Sequence, residues 1–365
     1  MHRFKWTVIL ILFLCAPLLA AERVAKGVIL FLGDAGGIPT LHAASILEYR
    51  QPGQLFTQKM PHLGLSETSS ASDWVADSAA GMTAIVTGKK THNGVISQSD
   101  AAVRGKTDGE ALKTILEYAE EKGLSTGVVS NSGIASATPA CLYAHSNDRK
   151  KIGEIFAQVL KPRFGDGVDV VIGPGRAEIL TGTSALGVDL AAELPKKGYR
   201  LLDSMGAIPS DARRVIVLLA KEEIDLEAAT RQAISILSRN PKGFFLMVES
   251  DLHTNQVQRG LERTVAFDRI IKQTVERMKG DTLVLFTADH SFDLRIVASL
   301  RKSDSLLANA DKPAEATRGL VVKGHHAGEE VLVAAEGPGA ERVHGFLSNT
   351  DLFRIMMAAY GWKLP

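Results

Sequence analysis

The sequence predicts a three-layer α/β/α sandwich around a central, mostly parallel β-sheet. Short, β-branched apolar runs recur after polar or glycine-rich breaks, and helix-length patterns lie between them. Near-continuous apolar strands suit a sheet covered on both faces, and β-then-α alternation gives a parallel sheet. Strands are expected at Val28–Leu32, Thr126–Ser130, Val168–Ile172, Val215–Ala220, Phe244–Val248, Thr282–Thr287 and Val331–Ala335. Helices are expected at Gly109–Lys122, Leu226–Ser238 and Gln258–Met278. The 365 residues contain no repeat, no low-complexity tract and no proline- or serine-rich linker after the first residues, so 22–365 read as one domain.

Residues 1–21 read as an export signal. His2, Arg3 and Lys5 form a basic start, Thr7 to Leu19 an apolar stretch too short for a comfortable membrane span, and Ala20-Ala21 the cleavage site. The protein is therefore expected in the periplasm or secreted. Leu18 or Leu19 stands where a small residue is usual before the cut, which keeps an uncleaved anchor as the alternative. With 42 basic against 41 acidic residues, the chain lacks the strongly basic balance of a nucleic-acid partner. Cys15 falls in the signal, leaving Cys141 without a disulfide partner; its apolar setting, Pro139-Ala140-Cys141-Leu142-Tyr143, is that of a packed thiol.

Three expected strands end in acidic or histidine residues: Leu32-Gly33-Asp34, Val248-Glu249 followed by Asp251 and His253, and Thr287-Ala288-Asp289-His290. Ligand crevices of open parallel sheets lie at the carboxyl ends of strands, so these distant groups are expected to converge. With a further histidine at 325 or 326 they make a mixed oxygen and nitrogen set without thiolate, suited to zinc with magnesium. Singly, each has a structural explanation, such as an aspartate capping the next helix. Two divalent ions about 4 Å apart would clamp the attacking and leaving oxygens of an in-line phosphoryl displacement. A nucleophile for it is Ser78, in Asp77-Ser78-Ala79-Ala80-Gly81, where small residues open a helix whose N-terminus favours an anion. The same run also reads as a plain helix cap by Asp77 or Ser78.

The sequence resembles the alkaline phosphatases through Leu32-Gly33-Asp34-Ala35-Gly36-Gly37, Asp77-Ser78-Ala79-Ala80, Thr87-Gly88-Lys89-Lys90-Thr91-His92-Asn93-Gly94, Ala137-Thr138-Pro139-Ala140, Gly173-Pro174-Gly175-Arg176, Thr287-Ala288-Asp289-His290 and Gly324-His325-His326-Ala327-Gly328-Glu329. Their order and spacing carry the likeness. It implies hydrolysis of small phosphate monoesters through a phosphoserine on Ser78, with two zinc ions and one magnesium. Asp34 would bridge one zinc and the magnesium, Asp289 and His290 would hold that zinc, and Thr138 and Glu249 the magnesium. Asp251, His253 and His326 would hold the second zinc. Arg149 follows Thr138 at the family interval and would grip phosphate with its planar fork. A homodimer is also what the family implies.

Three departures from the family pattern stand out. Glu249-Ser250-Asp251-Leu252-His253 is compressed to alternate positions, which in an extended segment point to one side. Ser136 stands two before Thr138, where relatives carry aspartate or histidine, and should alter the surroundings of the magnesium. The short interval from His290 to His326 leaves no room for a large surface insert. The alternatives are a phosphodiesterase or sulfatase-like member of the wider superfamily, and a non-catalytic phosphate- or metal-binding protein.

Overall fold

The computed structural model describes residues 24–220, 224–278, 280–297 and 319–364; the expected export signal lies outside the described residues. The strands are β1 (Gly27–Asp34), β2 (His62–Ser66), β3 (Ser125–Ser130), β4 (Val170–Pro174), β5 (Arg200–Leu202), β6 (Val215–Leu219), β7 (Phe244–Asp251), β8 (Thr282–Thr287), β9 (Ser291–Val297), β10 (Gly319–Ala327), β11 (Val331–Glu336) and β12 (Gly345–Leu347). The helices are α1 (Ile38–Tyr49), α2 (Ser78–Thr87), α3 (Ile115–Glu121), α4 (Ala137–Tyr143), α5 (Ile152–Ala157), α6 (Arg176–Ala185), α7 (Leu190–Lys196), α8 (Leu226–Leu237), α9 (Val257–Arg277) and α10 (Asp351–Ala359).

Ten strands form one sheet in the order β12-β2-β11-β8-β1-β7-β3-β4-β6-β5. Every residue of β1 is buried. Its side chains alternate between the two layers: Val28, Leu30 and Leu32 join the core under α2, α4 and α10, while Ile29 and Phe31 join the core under α1, α8 and α9. Phe31 meets Phe267 of α9 edge-on, with ring centroids 5.6 Å apart. This two-sided burial is why the strand reads as an unbroken apolar run.

One strand runs against the parallel majority, and one expected helix needs correction. The strand near Val331 pairs antiparallel with β8 and with β2. Between β8 and β11 the described chain forms the antiparallel pair β9 and β10 and no crossover helix, and a parallel return needs a crossover. The helix expected from Gly109 starts at Ile115. There Thr114 Oγ1 accepts from Glu117 N–H (3.1 Å) and the Glu117 carboxylate accepts from Thr114 N–H (3.0 Å), a capping box that fixes the start. The stretch before it is tied down as a loop, with Leu112 N–H donating to Ser97 O.

Below the sheet, away from the strand ends that carry the acidic groups, α3 places Glu120 against the start of β3. Its carboxyl group accepts from Thr126 Oγ1 and from Gly167 N–H, and burial pushes it up from the usual carboxylate range to about 7. The folded value lies above the unfolded one, so this group's stability is fully present below about pH 4.5 and is lost as pH rises towards 7. One pH unit of difference between folded and unfolded values is worth about 1.4 kcal/mol, which makes the loss across that window roughly 3 kcal/mol. Glu120→Gln is therefore expected to flatten this part of the stability–pH curve, measured by denaturant unfolding from pH 5 to 8.

Candidate active site

Asp34, Glu249 with Asp251, and Asp289 reach one place because β1 lies between β7 and β8. The parallel registers set Leu32 beside both Glu249 and Thr287, and Asp34 beside Asp251. Ala35, just past β1, turns the chain with a left-handed φ of 63°, and its N–H donates to Asp289 Oδ1 (3.3 Å).

Ser78 is the first residue of α2, and Asp77 is its N-cap: Oδ1 accepts from Ala80 N–H at 3.0 Å. Both sequence readings of this run therefore hold together, with the cap on Asp77 and the hydroxyl one residue later at the positive end of the helix. Ser78 Oγ lies 3.4 Å from His290 Nε2. The other Asp77 oxygen, Oδ2, accepts from Arg149 Nη1 at 3.1 Å, so one carboxylate orients the helix start and the guanidinium. Gly81 brings α2 close to the β8 end; a Cβ there would lie 2.5 Å from Asp289 O.

Three buried carboxylates belong to the same cluster. Asp34 Oδ1, Glu249 Oε1 and Asp289 Oδ2 have no hydrogen-bond partner. The other Glu249 oxygen accepts from Ser130 Oγ, and Thr138 is buried in the first turn of α4. Burial, reinforced by the nearby charge of Asp34, holds Glu249 and Asp289 well above the ordinary carboxylate range. Bare buried oxygens that repel one another call for a cation. The donor set therefore fits divalent metal ions.

The imidazoles supply the rest. His290 is fully buried and held below the usual histidine range by burial; its Nδ1 bonds Ser291 O (3.0 Å), leaving Nε2 towards Ser78 Oγ and, at 3.4 Å, Asp34 Oδ1. His326 stacks on His290 with centroids 3.7 Å apart, and its Nδ1 bonds Ala76 O at 3.2 Å. His253 bonds Asp251 Oδ1 through Nδ1 at 2.8 Å. Burial alone would lower this last imidazole, but Asp251 and Asp34 raise it to about 9. A histidine with one ring nitrogen fixed on an oxygen presents the other in a set direction, the usual arrangement of a metal ligand. Two constellations of closely set ligand atoms result, Asp34 with Asp289 and His290, and His253 with His290 and His326.

Asp251 belongs to neither constellation. Its Oδ2 accepts from Arg263 Nη1 of α9 at 2.8 Å, a partner that sequence reading did not single out. Nothing local marks Arg263 among the charged residues of an amphipathic helix. His326 arrives on β10, opposite Phe292 of β9, a strand pair likewise absent from the expected elements. His325 beside it is exposed.

The fold and this cluster define a class: a three-layer α/β protein with candidate metal-ligand groups beside a serine at a helix N-terminus. A model of the family "Alkaline phosphatase" matches residues 25–321. The chain is 29% identical to alkaline phosphatase of Escherichia coli K12, over 94% of this chain and 88% of that protein. It is 31% identical to that of Gadus morhua over 73% and 69%, and 28% identical to streptomycin-6-phosphate phosphatase of Streptomyces griseus over 93% and 91%. Alkaline phosphatase from the Antarctic bacterium TAB5 superposes with a TM-score of 0.76 at 25% identity, covering 94% of this chain and 100% of that one.

The chain belongs to the alkaline phosphatase family. It is accordingly a phosphoric monoester hydrolase, and membership carries metal cofactors and small phosphate-ester substrates. Among the described residues, no helix is long and apolar enough to cross a membrane.

Proposed function

We propose that this chain hydrolyses phosphate monoesters in two steps through a covalent phosphoserine on Ser78. The observation that carries the reading is the position of the Ser78 hydroxyl, at the N-terminus of α2 and 3.4 Å from His290 Nε2, an imidazole that in turn lies 3.4 Å from Asp34 Oδ1 and 3.7 Å from Asp289 Oδ2. In the first step Ser78 Oγ bonds phosphorus, the ester P–O bond breaks in line, and the leaving oxygen takes a proton. In the second, water bonds phosphorus on the opposite side and Ser78 leaves as the hydroxyl.

The positive end of α2 favours the phosphoryl group beside Ser78. Arg149, aimed by Asp77, grips two phosphoryl oxygens. Asp34, Asp289 and His290 would hold one zinc, Thr138 and Glu249 with Asp34 a magnesium, and His253 and His326 a second zinc. When bound, these ions supply fixed positive charge against the developing negative charge and favour deprotonated oxygen nucleophiles. Ser136 at the N-cap of α4 makes no side-chain cap bond, and its neutral hydroxyl stands close in sequence to the magnesium ligands.

A dianion with Arg149 across two oxygens distinguishes monoesters from diesters and sulfates. Arg149→Ala is expected to lower kcat/KM for an aryl phosphate by roughly 10²-fold, about 3 kcal/mol of charge-assisted bonding. The same change should affect an aryl phosphodiester far less. An enzyme that prefers the diester or the sulfate with zinc and magnesium supplied would overturn the monoester reading.

A further inference from the structure

Asp251 differs from the other carboxylates of the cluster. Asp34, Glu249 and Asp289 each keep one buried oxygen without a hydrogen-bond partner, whereas both Asp251 oxygens are engaged. Oδ1 accepts from the backbone N–H of His253 (3.1 Å) and from its Nδ1 (2.8 Å), and Oδ2 accepts from Arg263 Nη1 (2.8 Å). The Asp251 N–H donates to Asn131 Oδ1 (2.8 Å), which fixes the residue at the end of β7.

We propose that Arg263 competes with a metal ion for Asp251, so that Asp251 is a positioning residue for His253 and the second divalent ion is held by imidazoles, more weakly than the first. The proposal rests on the reading of the cluster as a metal site. Arg263 carries a permanent charge and its pair with Asp251 is largely shielded from water, with side-chain exposures of 20% and 31%. An ion that displaced this guanidinium from Asp251 Oδ2 would leave it without its carboxylate, and Oδ1 is already engaged by the backbone N–H and Nδ1 of His253. Without that displacement the second position offers His253 and His326, which bind an ion as neutral imidazoles. A neutral nitrogen set suits zinc or cobalt and disfavours magnesium.

Displacement is sterically open. Arg263 lines a cavity of about 520 Å³ that also carries Asn131, Asp225, Glu227, Ser250 and Glu262. The pair therefore sets an affinity and does not seal the site. A role confined to anchoring α9 on β7 would predict lower stability for Arg263 variants with unchanged metal binding.

The test is a zinc and cobalt titration of the metal-stripped full-length protein at constant magnesium, followed by calorimetry and by the visible cobalt spectrum. Wild type, R263Q, D251N and H253A are compared, with circular dichroism confirming the fold. Wild type should show a tight and a weak class. R263Q should tighten the weak class by roughly ten- to hundredfold, the usual size of effects transmitted to a metal through a ligand's partner. D251N should shift it by less than about tenfold, because asparagine still accepts from His253 Nδ1–H. H253A should remove it, and the tight class should persist in all four proteins. Loss of the weak class in D251N as complete as in H253A, or no change in R263Q, would overturn the proposal. A wild-type protein without a tight class would overturn the metal-site reading beneath it.

Discussion

Ser78→Ala is expected to lower hydrolysis of an aryl phosphate by about 10³-fold or more, with folding intact. The methyl side chain keeps the N-terminus of α2, because the cap is Asp77 and not the serine. It also leaves every bond of Asp77 to Arg149 in place. What it removes is the hydroxyl 3.4 Å from His290 Nε2. Some activity should survive, since the surrounding charges still stabilise a transition state attacked directly by water. The measurement is kcat and kcat/KM at saturating zinc and magnesium, with thermal unfolding as the control for folding.

Metal removal should produce the second large effect, on stability as well as turnover. Asp34, Glu249 and Asp289 are buried together, and in the stripped protein each keeps a buried oxygen without a hydrogen-bond partner. Ions at about a thousand times their dissociation constant would stabilise the fold by about 4 kcal/mol through mass action. Chelation is therefore expected to lower Tm and abolish turnover, both restored by zinc and magnesium. Asp289→Asn should show the opposite balance, a stripped protein at least as stable as the wild type but little gain from added metal. Glu249 and Asp289 are held above their unfolded values, so their contribution to the stripped protein is present at low pH and lost as pH rises. The gain from metal should accordingly grow from pH 5 to pH 8 in calorimetry.

How much of this was legible in sequence follows from how each element is buried. β1, β7 and β8 sit in the middle of the sheet, and their apolar runs and acidic ends announced both the fold and the place of the site. β5 and β12 are three-residue edge strands, and β2 alternates exposed and buried positions, so no apolar run marked them. β9 and β10 escaped because they pair only with each other, yet β10 is what carries His326 to His290.

The site divides in the same way. Ser78, Asp34, Asp289 and His290 followed from local patterns, whereas Thr138 and Arg149 stood out only through family likeness. The alternation proposed for Glu249, Asp251 and His253 runs out at Asp251, where β7 ends; His253 then folds back on the Asp251 carboxylate. Arg263 reaches that carboxylate from α9. A contact between a strand end and the middle of a later helix depends on packing and leaves no local signal.

The central claim is that phosphate passes through Ser78. Rapid acid quench of the metal-loaded enzyme during turnover of a labelled aryl phosphate, followed by peptide mapping, tests it most directly. One phosphate per chain on the peptide containing Ser78, absent from Ser78→Ala, is the predicted result. Turnover by the wild type with no covalent phosphate on that serine, or with the label on another residue, would contradict the account.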